Sequence, residues 1–237
     1  FLRPADYPLP PAIDAAVAAA QVIYLELDLD DPGADAAATA ADLATDPGGR
    51  DLGQLLGRSA WRDARRRAGA LGIDLEALRP YEPWYAALAV SRLRLLQLGF
   101  HGEHGVERHV VQAAGAAGKE IRGLETLAGQ LAALDGLPLR VQRRFLSATL
   151  TEAAGMEDGV ADLVKAWRAG DADALASSLL EGAALEREVY QRVIVERNRR
   201  FLATIRSLAE SGPDSLVVVG ALHLVGDDGI VAALEAE

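Results

Sequence analysis

No cysteine occurs among the 237 residues, which excludes a disulfide framework, a thiolate metal site and a cysteine nucleophile while leaving the compartment open. Lysine is nearly absent as well: Lys119 and Lys165 are the only two. In so alanine-rich a chain, the skew toward arginine reads as compositional bias rather than phosphate recognition. The net charge is −11, so the chain lacks the excess of Lys and Arg that a general nucleic-acid binder needs. Long apolar runs are missing too. The longest uncharged apolar stretches, residues 15–25 and 215–226, fall short of the roughly 20 residues that span a bilayer. No signal peptide is visible, and the opening Phe1-Leu2-Arg3-Pro4 leaves open a leader upstream. Gly220-x-x-His223 lacks the Lys-Ser/Thr ending of a phosphate loop, and no Gly-x-Ser-x-Gly nucleophile elbow occurs.

What is present is an ordinary globular balance, 50% apolar and 25% charged, in a length that suits a single domain over residues 1–237. No repeat at a fixed period and no linker divides it. The proline-rich opening leads into a helix from about Pro11 to residue 20. Residues 21–28 form a buried strand ending in carboxylates, bounded by the turn at residues 30–33. Helices are expected over residues 34–45, 51–71, 84–98 and 106–117, with breaks at residues 46–49 and at Gly99. A second strand is expected at residues 119–125, with Thr126 as N-cap of the following helix. Residues 139–209 read as helix broken at Gly155, Gly170 and Gly182. A third strand covers residues 215–219, a turn covers 220–223, and a last helix covers 227–237. Three short strands, each following a helix, predict an α/β fold, helix-rich overall, with a small, mostly parallel sheet and a large helical insertion.

Ligands of open α/β sheets gather at the carboxyl ends of the strands. Glu26 closes the first strand, Glu125 the second, and His223 follows the third. Carboxylates and an imidazole suit a divalent metal that activates water. Arg197, in the polar segment Glu196-Arg197-Asn198-Arg199-Arg200, is placed to steady an oxyanion. Each residue has a plainer alternative. Glu26 or Asp28 is then a solvated strand end, His223 a hydrogen-bonded loop histidine, Arg197 a solvated helix face, and Glu125 a charge at a helix start. His101, His104 and His109 lack the spacing of a metal-binding helix, so that glycine-flanked loop reads as a flexible surface element.

The segment Val217-Val218-Val219-Gly220-Ala221-Leu222-His223-Leu224-Val225-Gly226-Asp227-Asp228-Gly229-Ile230 is similar to the signature of the TraB/PrgY/GumN family, which is related to the TIKI metalloproteases. Tyr24-Leu25-Glu26-Leu27-Asp28, Glu82-Pro83-Trp84, Gly105-Val106-Glu107, Leu124-Glu125-Thr126 with Gln130-Leu131, and Arg197-Asn198 recur in the same order. The resemblance implies a fold shared with erythromycin-esterase-like and ChaN-like proteins, with two loosely similar βα halves forming a cleft. It implies a bacterial protein, in the cell envelope or the cytoplasm. It carries over Gly220 and His223 as a Gly-x-x-His motif, with Glu26, Arg197, Asn198, Glu125 and Glu107 as further motif positions.

The implied activity is peptide hydrolysis by a bound divalent ion of the Mn, Co or Zn class, with Glu26 and His223 as ligands or base and Glu26, Arg197 and His223 as the catalytic set. The alternative is a non-catalytic protein that captures a peptide or a haem-like small molecule in the same cleft. The family pattern also places a first Gly-x-x-His motif just ahead of Phe1, on a strand beside residues 21–28, and a closing strand beyond Glu237. An uncovered sheet edge would then favour a homodimer.

Overall fold

The computed structural model describes residues 2–27, 40, 42–184 and 187–236. Asp28, the turn at residues 30–33 and most of the helix expected at residues 34–45 lie outside the described residues. The fold is α/β: helices surround a three-stranded, wholly parallel sheet of β1 (Val22–Leu25), β2 (Glu120–Gly123) and β3 (Ser215–Val218). The spatial order is β2-β1-β3. All four residues of β1 are buried, as expected of a central strand covered on both faces, which shows as a continuous apolar run.

One face of the sheet packs on the helices Pro11–Ala19 and Val106–Ala116 through Val17, Ile23, Leu25, Val110 and Ala114. Just past the strand ends, Leu124 and Val219 pack on Phe201 and Leu202 of the helix Glu196–Ser211 and on Ile230 of the terminal helix. A separate helical body joins Leu52–Leu56, Arg58–Ala70, Pro83–Gln97 and the 31-residue helix Leu139–Ala169 around Leu52, Ala68, Val90, Leu146 and Leu150.

Local sequence sets many of these boundaries. Thr126 caps its helix, its Oγ1 accepting from the Gly129 amide at 3.2 Å. Asp51 and Gln54 cap theirs reciprocally, each side chain accepting from the other's amide at 2.8 Å. Two expectations need correction. The helix expected over residues 51–71 is two, because Gly57 takes φ +82° between them, a conformation that glycine adopts without penalty. Gly155 and Gly182 break nothing, since the helices Leu139–Ala169 and Ala172–Ala184 run through them; only Gly170, left-handed at φ 70°, ends a helix. Tertiary packing outweighs the roughly 1 kcal/mol that an interior glycine costs.

β1 is paired on both sides, with β2 and with β3. Among the described residues, the free edges belong to β2 and β3.

Candidate active site

In an open parallel sheet, the crevice for a ligand forms where successive connections leave a strand toward opposite sides. The order β2-β1-β3 puts that point at the carboxyl end of β1, and Glu26 is the next residue. Its Oε1 accepts from the Gly220 amide at 2.7 Å. A Cβ on residue 220 would sit 3.3 Å from that same oxygen, tighter than ordinary carbon–oxygen contact, so glycine permits the approach of the two strand ends.

Arg197 joins all three strand ends. Its guanidinium is buried, with the side chain only 4% exposed. Nε donates to Glu125 Oε1 at 2.8 Å, and Nη2 donates to Glu125 Oε1 and Glu26 Oε2, each at 2.5 Å. Nη1 donates to the Val193 carbonyl at 2.9 Å and faces His223 Nε2 at 3.1 Å. All five guanidinium N–H groups thereby have protein acceptors. The Val193 carbonyl lies in a single π-helical turn, Gln191–Val195, and such widened turns recur at functional sites. The Arg197 Cζ lies 5.3 Å from the Phe201 ring centroid.

Asn198, the next residue, fixes the histidine. Its Nδ2 donates to the carbonyls of His223 and Asp228 at 3.2 and 2.8 Å. Both amide hydrogens are then engaged, and Oδ1 is left to accept from His223 Nδ1 at 2.6 Å. This assigns the Nδ1–H tautomer to a neutral ring, with the Nε2 lone pair turned to Arg197. Burial pushes the His223 pKa down to about 4; the Glu26 carboxylate opposes that shift and Arg197 adds to it. Burial acts to raise the Glu26 pKa, but the Gly220 amide, His223 and Arg197 together hold it below the usual carboxylate range. At neutral pH the site is therefore an ionised Glu26, a neutral His223 and an arginine between them.

A model of the TraB/PrgY/gumN family matches residues 1–237. The chain belongs to that family. No curated protein and no solved structure matches it. Of the positions marked out in the sequence, Glu26, Glu125, Arg197, Asn198, Gly220 and His223 stand together. Glu107 does not join them: it is exposed on the helix Val106–Ala116 and lines two cavities beside the site, of about 620 and 420 Å³. The larger one opens on Glu26 and Gln130.

The histidine-containing loop is built into the fold rather than free. His101 forms an antiparallel bridge with Leu2, the His104 carbonyl accepts from the Tyr7 hydroxyl at 3.2 Å, and His109 Nε2 lies 2.7 Å from Asp14. None of the three touches the cluster around Arg197.

A divalent ion here would draw on Glu26, Glu125 and His223. That donor set does not fit one in this arrangement. A single guanidinium already bridges both carboxylates, and the imidazole lone pair needed for ligation accepts from the same arginine. Among the described residues, no group of three or more His, Asp or Glu side chains is arranged to hold a metal ion.

Two contributors were given no site role from the sequence. Gln130, quoted there only as part of a matched stretch, donates from Nε2 to Glu26 Oε2 at 3.2 Å; its spacing of four from the capping Thr126 places it on the helix face toward the strand ends, a signal available in advance. The Val193 carbonyl left no signal, because its role depends on the π turn.

Proposed function

We propose that this member of the TraB/PrgY/gumN family captures an extended peptide in the cleft at the carboxyl ends of its strands, with Glu26 as the polar anchor on the floor. The observation that carries this reading is the closure of the polar cluster. Arg197 has given all its donors to the protein and His223 has committed both ring nitrogens. Glu26 alone retains appreciable exposure, 22% of its side chain against 4%, 9% and 3% for Arg197, Glu125 and His223. It faces the cavity of about 620 Å³ as an anion able to accept from a peptide N–H or an ammonium group. A haem-like ligand is less well served, since the His223 lone pair is engaged.

Hydrolysis keeps one supporting observation: an ionised carboxylate faces that cavity. Against it stands the oxyanion role expected of Arg197, which would require a free N–H. Incubating the protein with a random peptide library, in Mn²⁺, Co²⁺ or Zn²⁺ and again in chelator, separates the two. The expected result is saturable binding that survives chelation and weakens in Glu26→Gln, without new termini by mass spectrometry. Cleavage that disappears with chelator and in His223→Ala would establish a metal-dependent peptidase instead.

A further inference from the structure

The helix Arg58–Ala70, on the helical body, inverts the charge of the molecule. Residues 58–67 hold five arginines and one acid, Asp63, in a chain of net charge −11. Composition sets how many arginines the chain carries, not where they gather. Arg58, Arg62, Arg65 and Arg66 are all exposed, and with Trp61 they line a hollow of about 530 Å³. Their spacing puts the four on one side of the helix, along roughly 12 Å of its length. Ala64 and Ala68 face the body and are buried. Trp61 packs half-buried against that body, with Arg65 Cζ and Arg79 Cζ 5.7 and 5.9 Å from its ring centroid.

Helix stability does not account for this placement. Arg58 opens the first turn, where the helix dipole disfavours a cation, and no acid stands in that turn. Arg58 with Arg62, and Arg62 with Arg66, are like charges four residues apart, a spacing at which they repel. Arg65 pairs with Glu76 at 3.2 Å, and Arg66 pairs with Asp63. Arg58 and Arg62 have no ion pair or side-chain hydrogen bond among the described residues.

We infer that this face docks on an anionic membrane surface, its arginines on lipid phosphates and Trp61 at the level of the headgroups. A helix flank of one charge sign fits a flat anionic plane, which strengthens binding about fivefold for each arginine near it. Guanidinium groups bond phosphate oxygens bidentately, and an indole is a side chain that settles at headgroup depth. The acidic remainder of the surface does not cancel the attraction, because charges beyond about 10 Å are largely screened in salt. A nucleic-acid backbone is less well served: it runs past so short a face and onto that acidic remainder.

The test is co-sedimentation with vesicles of phosphatidylglycerol and phosphatidylcholine, against vesicles of phosphatidylcholine alone, at rising salt. The expected result is binding only where phosphatidylglycerol is present, lost as salt rises. It should weaken about twenty-fivefold in the double variant Arg58→Gln, Arg62→Gln. A blue shift of tryptophan emission should accompany binding and disappear in Trp61→Phe. Both arginines are exposed, so an unchanged melting temperature will show that the double variant folds.

Binding that ignores phosphatidylglycerol, or that the double variant retains, overturns the inference, as does absence of vesicle binding at low salt. If the protein instead self-associates at low salt and the double variant does not, a second copy covers the face. If an oligonucleotide or a polyglutamate peptide binds there and vesicles do not, another polyanion is the partner and the lipid reading is wrong.

Discussion

The helical body and the strand ends reach the same depth of burial with opposite chemistry. Around Leu146, which is 1% exposed, the packing is mainly aliphatic and alanine, with Gln142 and Thr149 the buried polar residues of the same helix. At the strand ends, Arg197, Asn198 and His223 are 3%, 2% and 2% exposed, yet each is polar, and His223 is bonded to both of the others. An apolar interior tolerates exchange of shape at small cost. A buried polar network does not tolerate loss of one member, because the partner left behind keeps the full penalty of its desolvation. The first region specifies that the chain folds; the second specifies one arrangement of three strand ends.

The largest test of that contrast is Arg197→Met. It preserves bulk but leaves Glu26 without its cation and Glu125 with only the exposed Arg200 at 3.6 Å, and a cost of about 3–5 kcal/mol is expected by urea denaturation, as for other broken buried ion pairs. A cost below about 1 kcal/mol would mean that water already reaches the cluster.

Acidification comes next. Between pH 6.5, the ordinary histidine value, and about 4, the value in the fold, the unfolded chain binds a proton that the folded chain does not. Stability is therefore complete above pH 6.5 and declines as the pH falls toward 4. Glu26, depressed below the usual carboxylate value, adds a further loss as the pH drops through its own folded pKa. Melting temperature across this range, with the His223 titration followed by NMR, checks the sign; a flat profile would place His223 in water.

Asn198→Ala removes the acceptor that fixes the imidazole tautomer and one donor to two carbonyls. About 1–3 kcal/mol is expected, with a change in the His223 ring nitrogen shifts. Leu146→Met, in the helical body, should cost less than about 1.5 kcal/mol. His109→Ala breaks only a partly exposed contact to Asp14, with side chains 28% and 62% exposed, and about 0.5 kcal/mol or less is expected in a thermal melt.

Much of the architecture was legible in the residues. The β-branched runs at residues 22–25 and 215–219 read as strands because a pleated surface buried on both faces selects such side chains. Thr126 read as a cap because its hydroxyl satisfies an otherwise unpaired amide. That Glu26, Glu125 and His223 would gather was legible because each follows the carboxyl end of a strand in one parallel sheet. What the residues did not disclose is the way the site is closed. Arg197 in a run of five polar residues has the pattern of a solvated face, and nothing local reveals that its guanidinium lies between two carboxylates and an imidazole.

The sequence by itself therefore determined most of the described elements, the parallel class of the sheet and the family, all of which depend on short-range periodicity, caps and ordered motifs. Tertiary structure alone decided that β1 is central, paired with β2 on one side and β3 on the other. It also decided that one arginine occupies the position between Glu26, Glu125 and His223 where a divalent ion had been expected. These are facts about residues 171 and 72 positions apart, Arg197 with Glu26 and with Glu125. Contacts at such separations are set by how helices and sheet pack, and local sequence carries no record of them.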